Sequence, residues 1–241
     1  MAGIDAGQYT QGGETPEIVS DRPAGEPLAS LILAHGAGAP MDSPFMQDIT
    51  ERLVRRGIAV FRFEFAYMAQ RRLTGRKRPP NPQAQLLQQW EAVYRLVRQQ
   101  TAGVLAVGGK SMGGRMASLL ADELQADALV CLGYPFYATG KPDKPRTAHL
   151  AELQTPTLII QGERDALGDL ATVAGYRLSP AIHLHWLPAA DHDLKPLKRS
   201  GLTHEQHLDN AADAVAAFIL GGRGQATSAE SHLPKHAGPI D

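Results

Sequence analysis

Short apolar runs alternate with longer amphipathic stretches along this chain, and the two periods predict its elements. Leu28 to Ala34, Ile58 to Phe63, Val104 to Val107, Ala128 to Leu132, Thr157 to Ile160 and Ile182 to Leu187 are short and apolar enough to be strands. Between them, Ser43 to Arg56 (stopped by Gly57), Gln83 to Gln100 and Met112 to Leu124 carry helical spacing. Thr203 and Gln206 have the spacing of a capping box, which opens a last helix running through Leu220. Strands that alternate with helices imply a parallel sheet covered on its faces. The expected fold is therefore α/β, a mostly parallel sheet of about six to seven strands flanked by helices.

Composition limits the domain count. A chain of 241 residues with 43% hydrophobic and 20% charged content buries one full core, which we place at residues 15–220. Residues 1–14 are small and polar and resemble neither a signal peptide nor a membrane anchor. Residues 221–241 lose all periodicity and read as a flexible tail. No apolar run reaches membrane-spanning length. A formal net charge of −1 gives no global pull toward nucleic acid or an anionic membrane. The single cysteine, Cys131, lies in an apolar run, so an intrachain disulfide is impossible and a buried, inert thiol in a reducing cytoplasm is expected. Oligomeric state is left open.

The chemistry concentrates in Gly109-Lys110-Ser111-Met112-Gly113, a G-x-S-x-G pentapeptide between a strand and a helix. A serine hydroxyl is a poor nucleophile, so it must be held exposed beside a base and beside donors for a developing oxyanion. The flanking glycines remove Cβ atoms that would clash in so sharp a turn. Such a nucleophile needs an acid and then a histidine after later strands. Asp165 follows the Thr157 strand in Gln-Gly-Glu-Arg-Asp and is preferred to the nearby Asp169; His192 follows the Ile182 strand. Asp191 and Asp193, with His183 and His185, raise a metal-site reading, but no tight ligand motif exists, and His204-Glu-Gln-His207 is one residue short of the zincin spacing. A phosphate-binding loop is rejected because the required earlier glycine falls on Val104. A dinucleotide fingerprint at Gly36-Ala37-Gly38 fails at Met41. No cofactor and no metal are expected.

Leu33-Ala-His-Gly-Ala-Gly-Ala-Pro-Met-Asp-Ser-Pro-Phe-Met46, Phe61-Arg-Phe-Glu-Phe65, Gly109-Lys-Ser-Met-Gly-Gly-Arg115 and Leu132-Gly-Tyr-Pro-Phe136 resemble the α/β-hydrolases, near the small dienelactone-hydrolase-like proteins. More narrowly, they are similar to a family of small predicted hydrolases that also includes chromatin-complex subunits. The resemblance covers roughly Leu28 to Leu220 and implies the fold and a serine-hydrolase triad, with no substrate fixed. Position 111 is serine, where dienelactone hydrolases proper use cysteine. On this fold the loop at His35 to Gly38 supplies one oxyanion amide and the residue after the nucleophile the other, which assigns the backbone N–H groups of Ala37 and Met112. His35 is read as a brace for that loop.

Tyr67, Met68, Tyr134 and Phe136 follow their strands and are expected as pocket walls. About two dozen residues separate the Cys131 and Asp165 strands, too few for a helical cap domain. Arg71, Arg72, Arg76, Lys77 and Arg78 form a basic stretch, read as a solvated loop or as a recognition site for an acidic group. The expected function is a serine hydrolase of carboxylic esters or thioesters, with a small-molecule acyl substrate and neither nucleic acid nor membrane as partner. A non-catalytic interaction module on the same fold, or peptidase or amidase action, are the alternatives.

Overall fold

Seven strands form one sheet in the order β1-β3-β2-β4-β5-β6-β7, parallel except for the first, antiparallel edge strand. The computed structural model describes residues 16–221, so the expectations for the two ends lie outside the described residues, save for Gly221. The strands are β1 (Ile18–Asp21), β2 (Ala29–Ala34), β3 (Ile58–Phe63), β4 (Leu105–Lys110), β5 (Ala128–Leu132), β6 (Thr157–Gly162) and β7 (Ile182–Leu187). The helices are α1 (Pro44–Arg55), α2 (Ala66–Thr74), α3 (Gln83–Gln100), α4 (Met112–Leu120), α5 (Leu170–Val173) and α6 (His204–Gly221).

Side chains of the central strands alternate between two apolar clusters, because successive residues of a strand face opposite sides. Ile32, Phe61, Phe63 and Val107 pack with Trp90 and Val93 of α3 and Met116 of α4. Leu31, Leu33, Val60 and Val130 pack with Ile49 and Leu53 of α1 and Ala211 and Val215 of α6. Burial on both faces is why these strands read as unbroken apolar runs. The guanidinium of Arg52 on α1 pairs with Glu205 and, at 3.0 Å, with Asp209, and Arg56 pairs with Asp213 at 2.7 Å, locking α1 to α6. The expected capping box forms: Thr203 N–H donates to Gln206 Oε1 at 2.8 Å, and Gln206 N–H to Thr203 Oγ1 at 3.2 Å.

Four features depart from the sequence reading. β1 has only four residues, each half-buried, too short and too weakly patterned to stand out. α2 occupies the segment read as an irregular run, since only Tyr67 and Met68 of its residues are buried and no apolar stripe develops. β4 extends to Lys110, because two glycines continue the strand; a Cβ on Gly108 would lie 2.2 Å from the Val130 carbonyl oxygen. α4 ends at Leu120, four residues early, as the chain turns toward Gln125, whose φ is 50°. Residues 133–156 carry a two-residue bridge and a single 3-10 turn at His149–Ala151, with no helical cap.

Candidate active site

The loops leaving the carboxyl ends of β2, β4, β6 and β7 meet on one edge of the sheet, the usual place for a site on an open parallel sheet. Ser111 sits between β4 and α4 with φ 52° and ψ −115°, a conformation that costs a non-glycine residue on the order of 1–3 kcal/mol. The turn is enforced from both sides. A Cβ on Gly109 would lie 2.6 Å from the Ala34 carbonyl oxygen, and one on Gly113 would lie 2.5 Å from the same atom. Ser111 N–H donates to Leu132 O at 3.0 Å, which fixes the elbow to the neighbouring strand.

Ser111, His192 and Asp165 come together in a hydrogen-bonded chain. His192 Nε2 is 2.9 Å from Ser111 Oγ, and His192 Nδ1 is 2.8 Å from Asp165 Oδ2. The carboxylate can only accept, so Nδ1 carries the proton and Nε2 is left to accept from the serine hydroxyl. Asp165 is wholly buried. Its Oδ1 accepts from Leu167 N–H at 2.8 Å, and its Oδ2 also accepts from the Gln161 amide at 2.8 Å. Gln161 is itself buried and bonds Gly168 O and both backbone groups of Tyr134. Asp169, the rival acid, caps α5 by accepting from Thr172 N–H at 2.8 Å. His183 lies against Phe218, and His185 bonds Asn210, so both β7 histidines engage α6. Among the described residues, no group of three or more His, Cys, Asp or Glu side chains is arranged to hold a metal ion.

Lys110, the first variable position of the pentapeptide, was silent in the sequence. Its ammonium is buried, donates to the carbonyl of His192 at 2.8 Å, lies 3.2 Å from Asp193 Oδ1, and sits 5.4 Å from the Phe45 ring centre. Burial pulls its pKa below the ordinary lysine value, opposed by Asp193. Gly133, with φ 65°, makes the approach possible, since a Cβ there would lie 2.7 Å from His192 O. His192 is thus tied through its own backbone to the strand that carries the serine.

The loop after β2 rests against the elbow: a Cβ on Gly36 would be 3.7 Å from that of Ser111. His35 is fully buried and satisfied at both nitrogens, accepting from Phe65 N–H at 3.1 Å and donating from Nδ1 to Gly36 O at 2.7 Å. Desolvation lowers its pKa and favours this neutral form. In a trans peptide the C=O and N–H point oppositely. Pinning Gly36 O therefore orients the Ala37 N–H. Neither the Ala37 nor the Met112 amide donates to another group among the described residues.

Beside Ser111 lies a cavity of about 400 Å³, lined by Ala37, Met112, Arg115, Tyr137 and Leu167 among others. The four expected pocket walls are not among its lining residues. Tyr67, Met68, Tyr134 and Phe136 are buried in the core cluster, because their loops fold back onto the sheet. Tyr67 braces the loop instead, its hydroxyl donating to Ala37 O at 3.0 Å. The basic stretch divides likewise. Arg71 on α2 donates to Gly38 O at 3.0 Å, and Arg72 bridges Asp42 and Glu64, while Arg76, Lys77 and Arg78 are exposed. Cys131 is buried and its thiol is pushed up by desolvation.

No helix among the described residues is long and apolar enough to cross a membrane. Solved structures share the fold. The chain is similar to Est1E from Butyrivibrio proteoclasticus at 17% identity and TM-score 0.66, with 87% of this chain and 95% of that one covered. It is similar to an alpha-beta serine hydrolase homologue from Coxiella burnetii at 16% and 0.63, covering 92% and 98%. It also resembles a dienelactone hydrolase from Anabaena variabilis at 20% and 0.63, covering 86% and 91%. At such identities the likeness speaks for the fold alone. The family profile described as an alpha/beta hydrolase domain matches residues 27–220, and the chain belongs to that family.

Proposed function

We propose that this protein is a serine hydrolase that cleaves carboxylic ester or thioester bonds through an acyl-enzyme. The reading rests above all on the unbroken chain from Asp165 Oδ2 through His192 to Ser111 Oγ, with a strained serine at its end. His192 Nε2 takes the proton as Ser111 Oγ attacks the acyl carbonyl, and Asp165 stabilises the imidazolium. The oxyanion is met by the N–H groups of Ala37 and Met112, each worth about 3 kcal/mol on the precedent of other hydrolases. The imidazolium returns its proton to the leaving alkoxide or thiolate. Water then adds to the acyl-enzyme with His192 as base, releasing the acid and restoring the serine.

An esterase domain from a Rhodothermus marinus protein shares the fold at 16% identity and TM-score 0.61, and the Coxiella protein is described as a serine hydrolase homologue, which agrees with this class. The test is labelling of the full chain with a fluorophosphonate probe, the modified residue being located by mass spectrometry. Labelling of Ser111 that disappears in His192→Ala is expected. Folded protein that takes no label would sink the proposal and favour a non-catalytic interaction module on the same fold.

A further inference from the structure

The cavity beside Ser111 carries two guanidinium groups and no carboxylate among its described lining residues. Arg115 lies one helical turn after Ser111, its N–H donating to Ser111 O at 3.0 Å, so it rises on the same side of α4. Its guanidinium has one protein acceptor, Gln83 Oε1 at 3.1 Å, and its Nε is buried without any hydrogen-bond partner. Arg146 reaches the cavity from the segment after β5. Its backbone is tied down, N–H donating to Phe136 O at 2.6 Å and C=O accepting from the Tyr134 hydroxyl at 3.1 Å. Its side chain makes no hydrogen bond or ion pair among the described residues, and Arg115 makes no ion pair.

Most other buried or half-buried arginines have an acid, Arg98 with Asp127 among them, whereas Arg71 pairs with none and donates to Gly38 O instead. Arg52 pairs with Glu205 and Asp209, Arg56 with Asp213, and Arg62 with Asp21. Charges left unneutralised in a concavity are costly, and an unsatisfied buried donor calls for an explanation. Burial lowers the Arg115 pKa, with Arg146 acting in the same direction, and burial with Arg115 lowers that of His149 to about 4. Leu86, Met116 and Pro135 add apolar wall, beside the uncharged polar side chains of Asn81, Gln83 and Thr139. An anion on a short hydrocarbon arm matches this arrangement.

Resting on the serine-hydrolase reading, we propose that the cavity accepts acyl groups bearing a second, ionised carboxylate, held by Arg115 and Arg146 while Ser111 attacks the esterified end. Ser111 and Arg115, four residues apart, line the same cavity of about 400 Å³, which admits a short acyl chain between them. The favoured substrates are then monoesters or monothioesters of short dicarboxylic acids. Planar guanidinium groups fit a carboxylate through paired hydrogen bonds, and such bonds discriminate strongly against a neutral group in the same place.

The test compares monoethyl glutarate with diethyl glutarate, followed by ethanol release. The full chain should favour the monoester in kcat/KM by about 10- to 100-fold, the range for a charge-assisted hydrogen bond or two. Arg115→Gln should erase that ratio and Arg146→Gln reduce it, whereas Arg199→Gln, an exposed charge elsewhere, should keep it. Butyrate esters of a hydroxy acid, which carry the carboxylate on the leaving group, serve as a second arm; preference for these instead would overturn the acyl-side placement. Diester hydrolysis with no preference for the monoester overturns the subsite and leaves the serine hydrolase standing. For a readout without turnover, calorimetry should detect monoethyl glutarate binding to Ser111→Ala and its loss on adding Arg115→Gln. Equal binding by both proteins, or none by either, refutes the proposal even if no ester is cleaved.

Discussion

Replacing Lys110 by methionine should separate catalysis from stability. The ammonium gains a charge-assisted hydrogen bond to His192 O, about 1.5–3 kcal/mol. It also gains a pair with the mostly exposed Asp193, worth about 0–1 kcal/mol, and a contact with Phe45, worth about 0.5–2 kcal/mol. Against these stands the desolvation of a buried ammonium, several kcal/mol. Methionine keeps the length and apolar stem while removing that penalty, so the terms nearly cancel and the net stability change should be within about 1 kcal/mol. The catalytic effect does not cancel. The backbone of His192 loses its anchor to β4, and a displacement near 1 Å of a reacting group costs about 100-fold. On the proposed mechanism kcat should fall by about 10- to 100-fold, or roughly 1.4–2.7 kcal/mol in the barrier. KM should change by less than about threefold, since Lys110 is not among the residues lining the cavity. Steady-state kinetics on an ester that wild type cleaves, beside urea unfolding, reads both quantities. A variant with wild-type kcat, or one whose kcat loss is matched by a stability loss above about 3 kcal/mol, would refute the positioning argument.

Two further outcomes follow from the same geometry. Ser111→Gly relieves a φ of 52° while removing the nucleophile, so it should be inactive yet more stable by about 1 kcal/mol in denaturant melts; a less stable variant would show that the elbow is not strained. The depressed pKa of His149, near 4 against 6.5, means that the folded state holds its proton less tightly than the unfolded chain. Stability should therefore fall as pH drops from about 6.5 toward 4, by at most roughly 3 kcal/mol and by about 1–2 after solvent screening. His149→Gln should flatten that acid limb of a pH–stability curve, and an unchanged limb would count against the assignment.

Six of the seven strands and the three long helices flanking them were legible because their cause is local. A strand buried on both faces must be an apolar run, and a helix on its surface must repeat near 3.6 residues. The serine was legible for a similar reason, since a turn this sharp needs glycines at fixed offsets, and Asp165 and His192 followed from strand order. What escaped is what depends on approach between distant segments. β1 exists only because β3 offers it an edge, and α2 only because the loop after β2 needs Tyr67, Arg71 and Arg72 beneath it. Tyr134 and Phe136 follow a strand as pocket residues do, yet the chain folds them inward.

The sequence by itself determined the fold class, the elbow turn and the placement of Asp165 and His192 after later strands, because each is written in spacing along the chain. Only the tertiary structure decided that Gln161 holds Asp165, that Lys110 anchors His192, and that Arg115 and Arg146 share a cavity without an acid. Those relations join residues up to 82 positions apart, and hydrogen bonds and charge depend on distance in space, which no pattern of neighbours records.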